Sequence, residues 1–354
     1  MNKVWTGRVN KNQPSAVKFG KEENKALLAQ YYPPLAVEAD EEDDGKTVRD
    51  VLVRHFQVSS KLLAQARLTE YGLTINEERV YISAPVEKGE VVRLRMERET
   101  SEHIEAESMP LEIIFEDESL LVINKPPNLI VHPTHGHYSG TLANGVVYYW
   151  QQKNERYRFR PIHRLDEDTS GIVVIAKNGY IHQQLSDQMQ DGLMDKRYIA
   201  LVHGHVEPQS FDIEAAIERD PHTPHLRIVR EDGQYAKTGV TCLQQLTIEN
   251  TQEGIDIELS VVQLKLYTGR THQIRVHMHA YGHPLIGDTF YFSQAFKSQE
   301  QALQFPRQAL HAFQLTLRHP LTKQVLTFNA KLPHDMNELI ERAKEKNNEV
   351  NKNI

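Results

Sequence analysis

The chain has 354 residues, of which 39% are apolar and 25% are charged, and its formal net charge is −7. This length predicts two or three domains, because a single hydrophobic core seldom grows beyond about 250 residues. The lone cysteine, Cys242, excludes an internal disulfide and a cysteine zinc cluster. Membrane-length apolar runs and an apolar signal core are both missing from the sequence, so we expect a cytoplasmic protein with no membrane partner. The net charge, taken whole, argues against a nucleic-acid partner.

The negative charge is concentrated in two short runs. Residues 99–118 contain 8 acidic and no basic side chains, and 6 of the 7 residues from 38 to 44 are acidic. Like-charged runs of this kind usually mark solvated linkers. Residues 47–98 carry 9 basic and 7 acidic side chains, and residues 119–331 carry 21 and 20. We therefore interpret the net charge as a property of linkers. It then no longer argues against a nucleic-acid partner.

Residues 1–46 are expected to form an N-terminal extension, and residues 47–98 a small α/β domain. Ser59 or Ser60 is a candidate cap for the second of two helices, and Gly72 is its candidate end. Strand-like residues 74–82 and 90–96 follow. The helices themselves are predicted from apolar residues at helical spacing, namely Val48, Val51, Leu52 and Phe56, then Leu62, Leu63 and Ala66.

The order of two helices and a small sheet resembles the S-four-like RNA-binding domain, which is named after a protein of the small ribosomal subunit. That family usually has Asn-Gly where this chain has Asn76-Glu77. The resemblance implies that residues 47–98 contact RNA. The alternative is a small accessory domain that makes no contact with RNA.

After an acidic linker at 99–110, residues 111–331 are expected to form an α+β domain. Strands dominate and do not alternate strictly with helices, which favours a mostly antiparallel, mixed sheet over a Rossmann-type array. Neither of the glycine-rich phosphate-binding motifs, G-x-G-x-x-G and G-x-x-x-x-G-K-[ST], occurs in the sequence. Helices are predicted over 178–190 and 271–281, and a further helix in the tail at 332–354. The strand-like runs are 111–115, 119–124, 171–176, 197–204, 237–246, 256–266 and 325–330.

The densest group of reactive side chains lies at 161–178, ahead of an apolar strand. A carboxylate at Asp166 would be held by the strand and would face a cleft. The alternative is an Asx-turn with Thr169 or Ser170. Glu167 and Asp168 lie next to it, but the paired carboxylates of glycosidases stand ~5–10 Å apart and normally come from different elements.

A second group, at 267–291, is rich in histidine and arginine. If residues 271–281 are helical, His272 and Arg275 share one face. The spacings between His272, His277, His279 and His283 suit zinc poorly, as does the loop trio His132, His135 and His137. We therefore predict no metal site. Hydrogen bonding or phosphate contact is the expected use of these histidines.

Four motifs, together with the opening of the domain, closely resemble the RluA-type pseudouridine synthases. HRLDEDTSG at 163–171 matches the family signature, and KRYIALVHG at 196–204 resembles the second motif. GRTHQIRVHMHAYGHPLIGDTFY at 269–291 resembles the third, and RQALHAFQLTLRHP at 307–320 the closing one. DESLLVINKPPNLIVHP at 117–133 opens the domain in the same way. Tyr291-Phe292 departs from the family's frequent Tyr-Gly.

The resemblance implies an enzyme that isomerises uridine in RNA to pseudouridine and needs no cofactor and no metal. Asp166 would be the essential carboxylate, Tyr198 the aromatic side chain that stacks on the target base, and Arg275 the partner of Asp166. The residues expected to contact the substrate are Arg164, His163, Arg270 and His272. The basic run of Lys153, Arg156, Arg158 and Arg160 is either a phosphate contact or a solvated loop.

The partner implied by the resemblance is structured RNA, with no obligate protein partner. Family members with an S-four-like domain often act on large-subunit ribosomal RNA, and transfer RNA is the alternative target. A catalytically silent RNA-binding or assembly factor and a metal or carboxylate hydrolase are the other two classes of function left open. The near-neutral, histidine-rich segment 119–331 predicts binding by a local cleft, with a modest dependence on salt.

Overall fold

A computed structural model of the chain describes residues 27–134, 136–248 and 256–350, except for the side chains of 345–350. The chain divides into two compact units, residues 1–99 and 100–354. Residues 1–26 of the predicted extension, His135 and residues 351–354 of the predicted tail lie outside the described residues. Within the described part, no helix is both long enough and apolar enough to cross a membrane.

The first unit contains the two predicted helices and an antiparallel sheet in the order β1-β4-β2-β3. Ser59, rather than Ser60, caps the second helix, because its hydroxyl accepts the Leu62 N–H at 3.2 Å. The first helix starts with a capping box between Thr47 and Asp50. The elements are β1 (Leu35–Glu38), α1 (Val48–Phe56), α2 (Ser60–Ala66), β2 (Leu73–Ile75), β3 (Glu78–Arg79) and β4 (Val91–Leu94).

Two local predictions in this unit are wrong. Residues 74–82 form a tight hairpin instead of one strand, because Asn76 and Glu77 adopt φ angles of 49° and 70° and reverse the chain. Gly72 does not end α2, which stops at Ala66. A Cβ atom at Gly72 would lie 1.9 Å from the Ala66 carbonyl oxygen, so this glycine allows the chain to pass closely behind the helix.

The acidic run 38–44 is not a solvated linker. Its first residue ends β1, and Asp43 is fully buried. The Arg54 guanidinium donates to Asp40 at 2.9 Å and to Asp43 at 2.8 Å, and the His55 ring lies 2.8 Å from Asp43. The hydrogen bond from Arg54 lowers the pKa of Asp40 to about 2. Arg54 and His55 of α1 thus bind part of the run, and the sheet of this unit includes a strand that precedes residue 47.

The second unit is built on a nine-stranded sheet in the order β5-β6-β7-β14-β8-β13-β12-β9, with β15 paired to β14. Its pairs are antiparallel except β7 with β14, so the predicted mostly antiparallel mixed sheet is confirmed. The strands are β5 (Glu112–Glu116), β6 (Leu120–Lys125), β7 (Ser170–Ala176), β8 (Asp195–His203), β9 (Ser210–Glu214), β10 (Ile217–Arg219), β11 (Arg227–Val229), β12 (Lys237–Ile248), β13 (Ile257–Leu266), β14 (Leu310–Arg318) and β15 (Val325–Asn329), of which β10 and β11 form a separate hairpin.

In the described part of the second unit five α-helices accompany this sheet, and one of them was not predicted. The helix α3 begins with a capping box between Thr141 and Asn144 and buries Trp150 in the core. The predicted helix at 271–281 is shorter, starting at Gln273. The helices are α3 (Leu142–Gln152), α4 (Gly179–Gln190), α5 (Gln273–Ala280), α6 (Lys297–Leu303) and α7 (His334–Val350).

The acidic stretch that begins at residue 99 is also not a free linker. Asn144 donates to the Glu105 carbonyl at 2.8 Å, and the Gly140 N–H donates to the Glu107 carboxylate at 2.7 Å. Further along, Glu116 in β5 pairs with Lys153 at 2.9 Å and with Lys177 at 2.8 Å. Because the carboxylates of Glu107 and Glu116 are bound within the second unit, part of the negative charge belongs to folded structure and not to linkers. Lys153, moreover, belongs to a structural ion pair.

Candidate active site

The side chain of Asp166 is held in a tight turn that leads directly into the buried strand β7. Thr169 donates its N–H to the Asp166 carbonyl at 3.1 Å, and Leu129 donates its N–H to the Glu167 carbonyl at 3.1 Å. The fully buried Lys125 also donates to the Glu167 carbonyl, at 2.8 Å. These hydrogen bonds to backbone carbonyls close the turn without using the Asp166 carboxylate, which can therefore contact other side chains.

The carboxylate of Asp166 contacts a buried arginine. Arg275 Nη1 donates to Asp166 Oδ2 at 3.1 Å, and its Nε and Nη2 donate to Asp288 at 2.6 and 2.7 Å. The Asp288 side chain is fully buried, whereas that of Asp166 is 26% exposed. Burial opposes the charge of Arg275, but the hydrogen bonds and charge of Asp288, together with Asp166, raise the guanidinium pKa above its usual value. Asp288 thus fixes a permanent cation against the more accessible carboxylate.

His272 lies on the other side of Asp166, just before α5. Its φ of 57° turns the chain into the helix, and its Nε2 lies 3.8 Å from Asp166 Oδ2. The ring is held through Nδ1, which is 2.8 Å from the Tyr291 hydroxyl. Burial lowers the pKa of His272, although the charge of Asp166 opposes that shift. An imidazole and a guanidinium therefore both face the same carboxylate.

Two cavities, of about 650 and 340 Å³, share Asp166 as a wall residue. The larger one is open on the side of His132, Thr289 and Phe290. The smaller one is lined by Tyr198 and Lys196 from β8 and by the loop that precedes α5. All seven residues singled out from the sequence line this smaller cavity, namely His163, Arg164, Asp166, Tyr198, Arg270, His272 and Arg275.

Tyr198 and His163 are uncharged walls of the smaller cavity. Tyr198 is 6% exposed, and burial, together with the charge of Asp166, raises the pKa of its phenol above the usual value. Burial lowers the pKa of His163 to about 3, and neither ring nitrogen has a hydrogen-bond partner in the part of the chain that is described. A neutral imidazole with two free nitrogens can donate one hydrogen bond and accept another.

The two arginines at the rim differ in how they are held. Arg164 is exposed and makes neither a hydrogen bond nor an ion pair with the residues described. Arg270 donates from Nε to the Tyr235 carbonyl at 3.0 Å, and its own N–H donates to Gln273. Gln273 also accepts the Thr268 hydroxyl, so one buried amide organises the loop.

The remaining histidines of the second motif group have separate structural contacts. His277 is buried with its ring nitrogens 2.9 Å from the Thr238 hydroxyl and 2.9 Å from the Ala215 carbonyl. His283 lies 2.8 Å from the His203 carbonyl. From the sequence alone these structural histidines could not be distinguished from His272 at the candidate site, because all of them lie in one motif.

Three further residues contribute to the site and were not identified from the sequence. Asp288 holds Arg275, Lys196 lines the smaller cavity, and Phe290 lines the larger cavity with its ring centroid 5.2 Å from the Arg275 guanidinium. Asp288 was the one that could have been found, since a buried arginine requires a counter-charge and Asp288 lies in the same motif.

Comparison with known proteins identifies the family. A family model described as RNA pseudouridylate synthase matches residues 119–280. The uncharacterized RNA pseudouridine synthase YjbO of Bacillus subtilis (strain 168) is 39% identical over 286 residues, which is 80% of this chain and 94% of that protein. The ribosomal large subunit pseudouridine synthase D of Zymomonas mobilis is 39% identical over 241 residues, covering 66% of this chain and 73% of that protein.

A solved structure is similar in fold to about two thirds of this chain. Human RNA pseudouridylate synthase domain containing 1 aligns with a TM-score of 0.50 and 24% identity, covering 66% of this chain and 95% of that chain. The family assignment rests on the sequence relatives, since this structural likeness supports the fold alone. The chain belongs to the RluA-type family of RNA pseudouridine synthases.

Proposed function

We propose that this pseudouridine synthase modifies uridines in large-subunit ribosomal RNA and that Asp166 is its reacting carboxylate, acting without a cofactor. The observation that supports this most strongly is the position of Asp166. It is the partly exposed member of a buried Asp–Arg–Asp arrangement and lines both cavities. A carboxylate in this position is accessible to a nucleotide and has a fixed cation beside it.

The chemistry requires an ionised carboxylate. In pseudouridine formation the bond between the ribose C1′ and uracil N1 breaks, the uracil rotates, and its C5 atom joins C1′. Asp166 acts either by attacking the ribose or by taking a ribose proton, and both steps need a lone pair on its oxygen. Arg275 supplies a positive charge beside this carboxylate and, as a guanidinium, does not titrate in the working range.

The other side chains of the smaller cavity would capture the flipped base. Tyr198 offers an aromatic face, and stacking of a base on such a face contributes ~1–3 kcal/mol. His163 lines the same cavity as an uncharged ring. Arg164 and Arg270 at the rim carry charges suited to the phosphates of the flipped nucleotide, and His272 positions Asp166.

The choice of large-subunit ribosomal RNA rests on the names of relatives. Ribosomal large subunit pseudouridine synthase D from Zymomonas mobilis is 39% identical, and the protein of that name from Escherichia coli O6:H1 is 34% identical. A first unit of the S-four-like kind would add contacts to a large structured RNA. Transfer RNA is the alternative substrate, and a silent RNA-binding factor is the alternative function.

The test is a map of pseudouridines in the RNA of a strain that lacks this gene. We expect at least one pseudouridine of the large-subunit RNA to disappear, to return with the wild-type gene, and to stay absent with Asp166→Asn. Asp187→Asn, which changes an exposed carboxylate on α4, is the matched control and should restore the modification. An unchanged large-subunit map would contradict the ribosomal assignment, and a loss confined to transfer RNA would favour the alternative.

A further inference from the structure

Lys196 is a buried cation in the smaller cavity that has no hydrogen-bonding or charged partner among the described residues. It lies on β8 two residues before Tyr198, so the two side chains share one face of the sheet. The residue is 8% exposed and lines the smaller cavity. Across residues 27–134, 136–248 and 256–350, its ammonium group makes no hydrogen bond and no ion pair.

Other buried cations of the second unit are fully engaged, which sets Lys196 apart. Lys125 donates to three backbone carbonyls, each at 2.8 Å. Lys177 pairs with Glu116 at 2.8 Å, and Arg275 and Arg307 each hold a carboxylate through two nitrogens. The side chain of Lys196 is mostly buried and lines the smaller cavity, so its uncompensated ammonium is available to a ligand that enters there.

The surroundings of Lys196 direct its ammonium toward the space for a base. A Cβ atom at Gly269 would lie 3.6 Å from Nζ, so the ammonium lies beside the loop that carries Arg270 and His272. Lys196 also contributes to keeping His163 neutral, because its charge adds to the effect of burial on the pKa of that ring. Lys196, His163 and Tyr198 all line the smaller cavity.

The proposed reaction creates a negative charge where such a donor is useful. When the C1′–N1 bond breaks, the bonding electrons remain with the uracil and are delocalised over N1 and the two carbonyl oxygens. Fixed donors aimed at developing charge give large rate effects in a site that excludes water. Asp166 and Tyr198 supply no such charge, because one is anionic and the other neutral.

We propose that Lys196 donates a hydrogen bond to a carbonyl oxygen of the target uracil and stabilises the detached uracil anion. This inference rests on the proposed function and assigns a catalytic residue to it. The electron pair kept by the uracil on cleavage is returned when C5 bonds to C1′. The proton then leaves C5, N1 takes up a proton, and the lysine ammonium ends the cycle unchanged.

The test compares Lys196→Met with Arg197→Met in single-turnover reactions on one RNA. Arg197 is the matched control, since it is next in the strand, points to the opposite face and pairs with Asp195 on the surface. We expect Lys196→Met to lower the rate about 100-fold or more, with RNA affinity within a few-fold of wild type. Arg197→Met should keep both quantities. Wild-type turnover on the same RNA tests the proposed function separately.

A modified substrate distinguishes charge stabilisation from a structural role. The fluorine of 5-fluorouridine stabilises the detached base, so the loss caused by Lys196→Met in consumption of the uridine should become smaller with RNA that contains it. An equal loss with both substrates, a wild-type rate in the variant, or a defect confined to RNA affinity would overturn the proposal. Lys196→Gln, which keeps a donor without the charge, gives the same comparison if the methionine variant does not fold.

Discussion

The C-terminal helix braces the turn that carries Asp166, and Asp335→Asn tests this brace. Arg307, whose side chain is 2% exposed, donates from Nε and Nη2 to Asp335 at 2.7 and 2.9 Å. Its Nη1 donates to the Asp168 carbonyl at 3.1 Å. Asp335 lies in the first turn of α7, so one guanidinium joins that helix to the turn that carries Asp166.

The size of the effect follows from burial. Breaking one side of a buried ion pair typically costs 3–5 kcal/mol, and Asp335 is 28% exposed, so we expect a loss of about 2–3 kcal/mol in the free energy of unfolding of the second unit. A shift of the turn by about 1 Å would misplace the Asp166 carboxylate and reduce turnover by as much as ~100-fold. We therefore expect kcat to fall at least tenfold, while the affinity for RNA changes little.

The assay pairs urea unfolding with single-turnover kinetics for Asp335→Asn and a control on the same helix. Glu341→Gln changes an exposed carboxylate that pairs with Lys344, and it should alter neither the unfolding midpoint nor kcat. A lowered midpoint with wild-type kcat would show that the brace stabilises the fold without positioning Asp166. An unchanged midpoint would refute the energetic reasoning itself.

Three more outcomes are expected. Tyr198→Phe keeps the stacking face and should lower kcat/KM less than Tyr198→Ala, whereas equal losses would show that the hydroxyl dominates. Lys125→Met removes the buried ammonium that donates to the carbonyls of Pro126, Leu129 and Glu167 and should lower the free energy of unfolding by about 2–4 kcal/mol, and a change below 1 kcal/mol would contradict this. Burial lowers the pKa of His311 to about 4, so the unfolded chain binds more protons between pH 6.5 and 4. Stability should therefore fall by up to about 3 kcal/mol as the pH drops through that window, and His311→Gln should flatten the fall in urea midpoints.

The site residues that the sequence predicted are those that lie within a recognisable local pattern or motif. Asp166 precedes an apolar strand, and Arg275 follows His272 at helical spacing, so local pattern and motif were sufficient to single them out. The partner of Arg275 was harder to predict, because Asp288 lies 13 residues away and reaches it through the tertiary fold. Lys196 was not singled out either. A lysine without a hydrogen-bonding or charged partner can be recognised only once its neighbours in the fold are known.

Charge runs were the weakest guide to structure. Pattern rules treat an acidic run as solvated, yet Asp43 and Glu116 are each bound by two basic side chains from distant positions. The helix α3 was missed because its β-branched and aromatic residues imitate a strand, although Thr141 and Asn144 form its capping box. The helix predicted in the tail at 332–354 is present, and its Met336, Leu339 and Ile340 pack into a core cluster of the second unit.

The central claim, that Asp166 drives uridine isomerisation in this protein, is tested most directly by tritium release from RNA labelled at C5 of uridine. Wild-type protein should release tritium at the modified position without added metal or cofactor, and in the presence of a chelator. Asp166→Asn should release none above background while it binds the same RNA within a few-fold of wild type. Release at the wild-type rate by Asp166→Asn would contradict the account.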